Sequence, residues 1–233
     1  MNKQVNPFIY IFLIGIITVI TWNIPFGRYI LYPFTILGTW FHEMGHGLVA
    51  ILLGGDFIRL EIYPDGSGIA FHTRSLYLGN IGEALVALGG PVGPSVAGSL
   101  FILSSSNHKV SRLMLLLLSV VQIISCLIWI RSFFGFIIIL GFGVFIFLIA
   151  LKGNDKLTRF TIQFLGVQAI ASLYLSIGYL FSEGGYAAGN RFSSDTAVIA
   201  RSLFFPYWFW GSVIILCSVI LLFVSILTAY KSK

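Results

Sequence analysis

The feature that most constrains this chain is a succession of six or seven apolar runs, each near the roughly 20 residues that cross a bilayer as a helix. The runs cover residues 8–25, 29–53, 82–104, 111–131, 133–151, 160–182 and 206–230. Only 9% of the residues are charged, whereas soluble domains carry about a quarter. The sequence therefore predicts one domain over residues 1–233, an all-α polytopic membrane protein with six or seven transmembrane helices.

Two connections between these runs carry predictions of their own. Residues 111–131 and 133–151 are separated only by Arg131 and Ser132. They form either two helices joined by a tight hairpin or one long tilted or re-entrant element. The late acidic loop, residues 183–205, is rich in Gly and Ser and then changes to a short helical pattern that begins near Ser194.

The connection at residues 54–74, GGDFIRLEIYPDGSGIAFHTR, interrupts the helical pattern. Ile58, Leu60 and Ile62 alternate with Arg59, Glu61 and Tyr63, which is the period of a β-strand. Residues 64–68 have turn chemistry, and residues 69–71 resume an apolar strand. The sequence therefore predicts a small membrane-associated β-hairpin between the helices at 29–53 and 82–104.

The charge distribution indicates which surface the protein meets. The net charge is +6, and its basic residues are spread over the ends of loops. This arrangement suits a membrane surface better than nucleic acid. We therefore expect a multi-pass protein of the cell membrane, with the lipid bilayer as a partner and no nucleic acid.

The segment HEMGH, residues 42–46, places two histidines and a glutamate inside the apolar run 29–53. Histidines at this spacing project from one face of a helix, where both imidazoles can bind one metal ion. Catalytic zinc uses such ligands and lowers the pKa of its bound water to about 7. Glu43 stands between His42 and His46, where it can deprotonate that water. The alternative is a hydrogen-bonded polar cluster that joins helices.

A catalytic zinc site of this type needs a third protein ligand. His42 and His46 lie in the C-terminal half of their run, so the ligand comes from the side on which that run ends. Counting crossings, the eligible residues are Asp56, Glu61, Asp65, His72, Glu83, Glu183 and Asp195. We predict Asp195, because it follows a Gly-rich loop that can dip into the bundle, with Glu183 and then His72 as alternatives. Asp195 could equally serve as a helix cap or first-turn acid that satisfies free backbone N–H groups.

The run 82–104 contains ALGGPVGPSVAGSL at residues 87–100, in which small residues surround two prolines. Pro91 and Pro94 are expected to break the helix. Irregular backbone in a membrane is tolerated where it is buried in protein or lines a cavity. The segment therefore either borders a peptide-binding groove or packs closely against other helices through its small residues.

These pieces together resemble the site-2 protease family of intramembrane zinc metalloproteases. The resemblance rests on HEMGH at 42–46, the hairpin after Gly54-Gly55, GGPVGP at 89–94 and SSD at 193–195, which occur in the family's order. It covers residues 29 to about 210 and is closest to the compact bacterial branch that lacks a PDZ domain. It implies that His42, His46 and Asp195 bind zinc and that Glu43 activates water.

The resemblance also implies a membrane-protein substrate whose transmembrane helix unwinds and pairs with the hairpin by strand addition. The expected substrate-binding residues are Ile69, Ala70, Phe71, Gly90, Pro91 and Pro94. Two positions depart from the family's pattern. Asp195 is followed by Thr196 and lacks the Leu-Asp-Gly setting after an Asn-Pro pair, and Pro94 stands where the glycine-proline motif usually ends in Asn.

The sequence thus predicts an intramembrane zinc endopeptidase that hydrolyses peptide bonds within or near transmembrane segments. The alternative is a metal transporter or a non-catalytic relative that grips membrane helices. Glu43 distinguishes these functions, because transport needs no general base and would favour a second cluster of metal ligands along a path.

Overall fold

The computed structural model describes residues 7–73, 75–187 and 190–231. The elements in these residues are α1 (Pro7–Asn23), α2 (Pro25–Leu52), β1 (Phe57–Ile62), β2 (Gly68–His72), α3 (Asn80–Ser104), α4 (His108–Ile128), α5 (Phe133–Lys152), α6 (Asp155–Leu175), α7 (Ile177–Leu180), β3 (Gly184–Ala187), β4 (Asn190–Ser193), α8 (Asp195–Ser202) and α9 (Tyr207–Tyr230). The prediction of a mostly helical membrane protein with a small hairpin is confirmed.

Helix α3 lies at the centre of the bundle and packs against α2, α6, α8 and α9. It continues through Pro91 and Pro94, so the expected break at these residues is wrong. Prolines are tolerated in such helices because neighbouring helices and side chains satisfy the freed backbone groups. The packing therefore holds α3 as one continuous helix beside α2.

Four or five candidate membrane spans occur among the described residues by length and composition, where the sequence predicts six or seven transmembrane helices. Helices α3, α4, α5 and α9 are long and apolar enough to span a bilayer. Helices α1 and α2 meet at a bend of 116° and together form a fifth candidate span. Helix α6, which lies in the run 160–182, is not among these candidates; it carries buried polar side chains such as Gln163 and Gln168 and ends at Leu175.

The hairpin of β1 and β2 forms as predicted, with Leu60 opposite Ala70 and Ile62 opposite Gly68. Its apolar alternation is interrupted at one end. Leu60 and Ile62 are fully buried, but Ile58 is 52% exposed. A register shift between Phe57 and Arg59 explains the difference, because an extra residue in one strand inverts the direction of the side chains before it.

The hairpin lies along α2, at the depth of the helical bundle. The Phe57 ring packs against Gly47 near the end of α2. At the turn, the hydroxyl of Thr39 donates to the Gly66 carbonyl at 2.7 Å, and the hydroxyl of Tyr32 donates to the Pro64 carbonyl. Non-helical backbone at such depth needs protein or a cavity around it, and both strands meet this condition.

The outer edge of β1 is covered by the connection between α4 and α5. The Leu60 N–H donates to the Trp129 carbonyl at 2.9 Å, and the Arg131 N–H donates to the Leu60 carbonyl at 3.0 Å. The runs 111–131 and 133–151 are therefore two helices joined by a short extended segment. The free edge of the hairpin is consequently β2.

The late acidic loop contains the predicted short helix, α8, and a second hairpin that was not predicted. Strands β3 and β4 pair in antiparallel fashion from Gly184 opposite Ser193 to Ala187 opposite Asn190. Each strand has four residues, which is too short for an alternating pattern to be recognised. This hairpin leads the chain directly to Asp195.

Candidate metal centre

The two histidines of HEMGH meet at one point beside α2. Because the helix repeats every 3.6 residues, His42 and His46 lie one above the other, with ring centroids 4.8 Å apart. Their Nε2 atoms are 3.2 Å apart. Both side chains are largely buried, with exposed fractions of 16% and 12%.

The tautomer of His46 follows from its contact with α3. Its Nδ1 lies 2.8 Å from the Val86 carbonyl, so Nδ1 must donate the proton. The Nε2 lone pair therefore points toward His42. A backbone carbonyl that accepts a hydrogen bond from the other ring nitrogen orients a metal-binding histidine. Nothing in the sequence marks Val86 for this role, because any residue can supply a backbone carbonyl.

Asp195 completes the cluster. Its Oδ2 lies 3.0 Å from Nε2 of His42, and its Oδ1 lies 3.3 Å from Nε2 of His46. The helix cap of α8 is Ser194, whose hydroxyl accepts from the Ala197 N–H. Since Ser194 performs that role, the Asp195 carboxylate is available to the histidines.

The other eligible side chains lie outside this cluster, and His72 and Glu83 line the same cavity. Glu183 is exposed, and the His72 imidazole contacts the Thr73 carbonyl. Glu61 accepts a hydrogen bond from the Tyr63 hydroxyl and pairs with Arg59 at 2.8 Å. The hydrogen bond with Tyr63 lowers the pKa of Glu61 and raises the pKa of Tyr63 to about 12. His42, His46 and Asp195 are the group of potential metal ligands found in the described part of the chain.

The spacing and chemistry of this group fit a divalent cation. Zinc ligands at about 2.1 Å in tetrahedral geometry stand roughly 3.4 Å apart, close to the 3.0, 3.2 and 3.3 Å separations within the cluster. Oδ2 of Asp195 is buried and, although Nε2 of His42 is close, it accepts no hydrogen bond of proper geometry from the described residues. A buried carboxylate oxygen without a donor is costly, and a metal ion would satisfy it.

Gly90 allows α3 to approach the histidines. A Cβ atom at this position would lie 2.2 Å from Nε2 of His46 and 2.8 Å from Nε2 of His42. Any side chain here would displace the imidazoles. Gly90, predicted to contact substrate, is therefore placed directly against the potential metal ligands.

Glu43 is buried beside the cluster, with an exposed fraction of 7%. Strand β2 covers it closely, because a Cβ atom at Gly68 would lie 2.8 Å from Cγ and 3.2 Å from Oε1 of Glu43. In the sequence, Gly68 is the last of the turn residues 64–68. Its proximity to Glu43 depends on how the hairpin packs along α2.

A cavity of about 810 Å³ opens onto Glu43, His42, His46 and Asp195. Four of the predicted substrate-binding residues line it: Ile69, Ala70, Pro91 and Pro94. Phe71 has a different environment, since its ring lies under the Arg59 guanidinium at 3.8 Å. The cavity also has an unpredicted wall formed by Tyr179, Gly185 and Phe192.

A helical membrane bundle in which two histidines and an aspartate converge beside a buried glutamate has the arrangement of a membrane metalloprotease. Comparison with protein families agrees. The family model described as Peptidase M50B-like matches residues 10–225, and the chain belongs to this family of metallopeptidases, the site-2 proteases. No curated protein matches the chain, and no solved structure matches it.

Proposed function

We propose that this protein is an intramembrane zinc endopeptidase of the cell membrane. It hydrolyses peptide bonds within or near transmembrane segments of membrane proteins. The proposal rests on one observation: the potential ligand atoms of His42, His46 and Asp195 lie within 4.8 Å of one another, beside the buried Glu43. Ionisable groups at membrane depth are expensive, which makes them functional candidates by default.

In this proposal His42, His46 and Asp195 would hold a zinc ion. When bound there, zinc would supply a Lewis acid for the scissile carbonyl and a water whose pKa is lowered toward about 7. Glu43 takes a proton from the attacking water and delivers it to the leaving amine. Val86 keeps His46 in the tautomer that binds the metal, and the close cover of Gly68 keeps Glu43 in place.

The free edge of β2 offers a docking site for an extended substrate. Leu60 directs its N–H and C=O toward the segment after α4, so the opposing Ala70 forms a pair without hydrogen bonds to β1. The N–H and C=O of Ala70 therefore point outward, and no partner for them is found in the described part of the chain. Gly68 lies two residues before Ala70 in the same strand, so its N–H and C=O also point away from β1. An unwound substrate strand can pair with these groups.

Proline substitutions distinguish the two edges of β2. Ala70→Pro removes an outward N–H, which we expect to lower kcat/KM about three- to tenfold, the value of one hydrogen bond. Metal content should stay unchanged. Ile69→Pro removes the N–H that faces Glu61 in β1 and should destabilise the hairpin itself. The measurement is cleavage of a membrane-protein reporter alongside zinc content.

Ala70→Ser is the matched control for this prediction, because it keeps the backbone N–H and nearly the same size. Its cleavage rate should match that of the unmodified protein. Wild-type kinetics in Ala70→Pro, with the hairpin intact, would mean that β2 only covers the site.

The proposed function is tested by combining metal analysis with a cleavage assay. The purified protein should contain about one zinc ion per chain and should cut a reporter that carries a single transmembrane helix. Chelation should stop cleavage, and added zinc should restore it. Zinc without cleavage of any reporter would favour a transporter or a non-catalytic helix-binding protein. Absence of a bound transition metal would exclude the metalloprotease.

A further inference from the structure

The cavity wall formed by Tyr179, Gly185 and Phe192 contains a hydroxyl group that the proposed mechanism does not use, that of Tyr179. Tyr179 lies in α7, the short helix that follows the end of α6 at Leu175. It lines the cavity together with Glu43 and the potential metal ligands. The ring is partly buried.

Three contacts fix the position of Tyr179. Its ring packs edge-on against the His42 imidazole, with a centroid distance of 6.5 Å and an interplanar angle of 70°. Gly185 of β3 lies against the other side, since a Cβ atom there would be 3.3 Å from Cδ2 of the ring. The hydroxyl points to the Ser193 carbonyl, two residues before Asp195. The phenol is thus held between the histidine helix and the aspartate.

The hydroxyl of Tyr179 is only weakly engaged. Its distance to the Ser193 oxygen is 3.5 Å, at the limit of a hydrogen bond. Two other hydroxyls on the cavity wall are engaged by backbone carbonyls at shorter distances: Thr39 donates to Gly66 at 2.7 Å, and Ser172 donates to Ala169 at 2.7 Å. The proton of Tyr179 can therefore turn to a ligand in the cavity.

The stretch of α3 that follows Val86 along the cavity offers little to a developing negative charge. It presents Pro91 and Pro94, which have no backbone N–H and no polar side chain. Asn80 also lines the cavity, but it is the first residue of α3, well before Val86, the residue that contacts His46. Hydrolysis of a peptide bond places negative charge on the carbonyl oxygen, and a positioned donor for this oxyanion accelerates acyl transfer about 100- to 1,000-fold. A donor beside the histidines is therefore needed from another wall.

We propose that Tyr179 is a further catalytic residue, whose hydroxyl donates a hydrogen bond to the oxyanion of the tetrahedral intermediate. This inference rests on the proposed protease function. The phenol keeps its proton throughout, so the role needs only the O–H group and its position. Because the bond forms with the oxyanion and not with the ground-state carbonyl, the residue acts on turnover and leaves substrate binding unchanged.

The test is Tyr179→Phe, which removes only the hydroxyl. We expect kcat to fall about 100-fold while KM stays within about twofold. Zinc content and thermal stability should match those of the unmodified protein. A second readout is the affinity for a phosphinic peptide built on the mapped cleavage sequence, which imitates the tetrahedral intermediate. This affinity should fall by a similar factor, as expected for a contact made in the transition state.

Tyr174→Phe is the matched control, since Tyr174 lies near the end of α6 and is 44% exposed. It should keep full activity and full affinity for the phosphinic peptide. An unchanged kcat in Tyr179→Phe, or a fall in kcat that follows lost zinc, would overturn the role of Tyr179 and leave the protease standing. An unmodified protein that binds zinc but cleaves no reporter would overturn the protease function together with this role.

Discussion

Glu43→Gln should reduce turnover by at least about 100-fold while zinc content stays close to that of the unmodified protein. Glutamine keeps the size and much of the hydrogen-bonding capacity of glutamate but cannot accept the proton from water. Glu43 lies outside the ligand group of His42, His46 and Asp195. Its loss should therefore affect the reaction and spare metal binding. Cleavage of the reporter and metal analysis of the same preparation give both values.

Glu183→Gln is the control for this prediction. Glu183 is exposed at the start of the second hairpin, so the same change of side chain there should leave turnover unaltered. Full activity in Glu43→Gln would exclude the proposed mechanism. Loss of zinc in Glu43→Gln would instead make Glu43 part of the metal site.

Asp195→Asn should lose zinc and activity together. The amide is a weaker, uncharged ligand, and both carboxylate oxygens of Asp195 lie within 3.3 Å of a histidine nitrogen. Loss of a residue that only hydrogen-bonds to a metal ligand weakens metal binding by roughly 10- to 100-fold, so loss of a direct anionic ligand should weaken it by more. Zinc affinity can be measured by competition with a chelator of known strength.

Asp155→Asn provides a matched control, because Asp155 also begins a helix just after a capping residue, Asn154. Asp155 pairs with Arg112 at 3.5 Å and is well exposed. Its replacement should change neither zinc affinity nor turnover. If Asp195→Asn kept full zinc affinity, Asp195 would not be a metal ligand, and its part in the proposed site would be overturned.

Those parts of the site that depend on neighbouring residues in the chain could be predicted from the sequence. The spacing of His42 and His46 places both imidazoles on one helix face whatever surrounds the helix, because the helical repeat is fixed. The first hairpin could be predicted for the same reason, since its turn residues and its alternating pattern lie within one short segment. Ser194 and the polar residues after it likewise predicted the start of α8.

Errors arose where packing decides the outcome. Pro91 and Pro94 were expected to break a helix, but neighbouring helices stabilise α3 through both residues. The run 160–182 was predicted to span the bilayer, but α6 buries polar side chains such as Gln163 and Gln168 and is not among the candidate spans. Ile58 follows the strand period in sequence, and a register shift in the hairpin reverses its exposure.

The sequence by itself determined the membrane class, the histidine pair and Glu43, because composition and helical spacing act within a single segment. Only the tertiary structure brought Asp195 to the histidines across about 150 residues of chain, since a contact so distant in sequence depends on how whole helices pack. The tertiary structure also brings the Val86 carbonyl to Nδ1 of His46, packs Gly68 against Glu43 and positions Tyr179 beside His42. These contacts use backbone atoms, small residues or a common aromatic ring, none of which marks its own partner in the sequence.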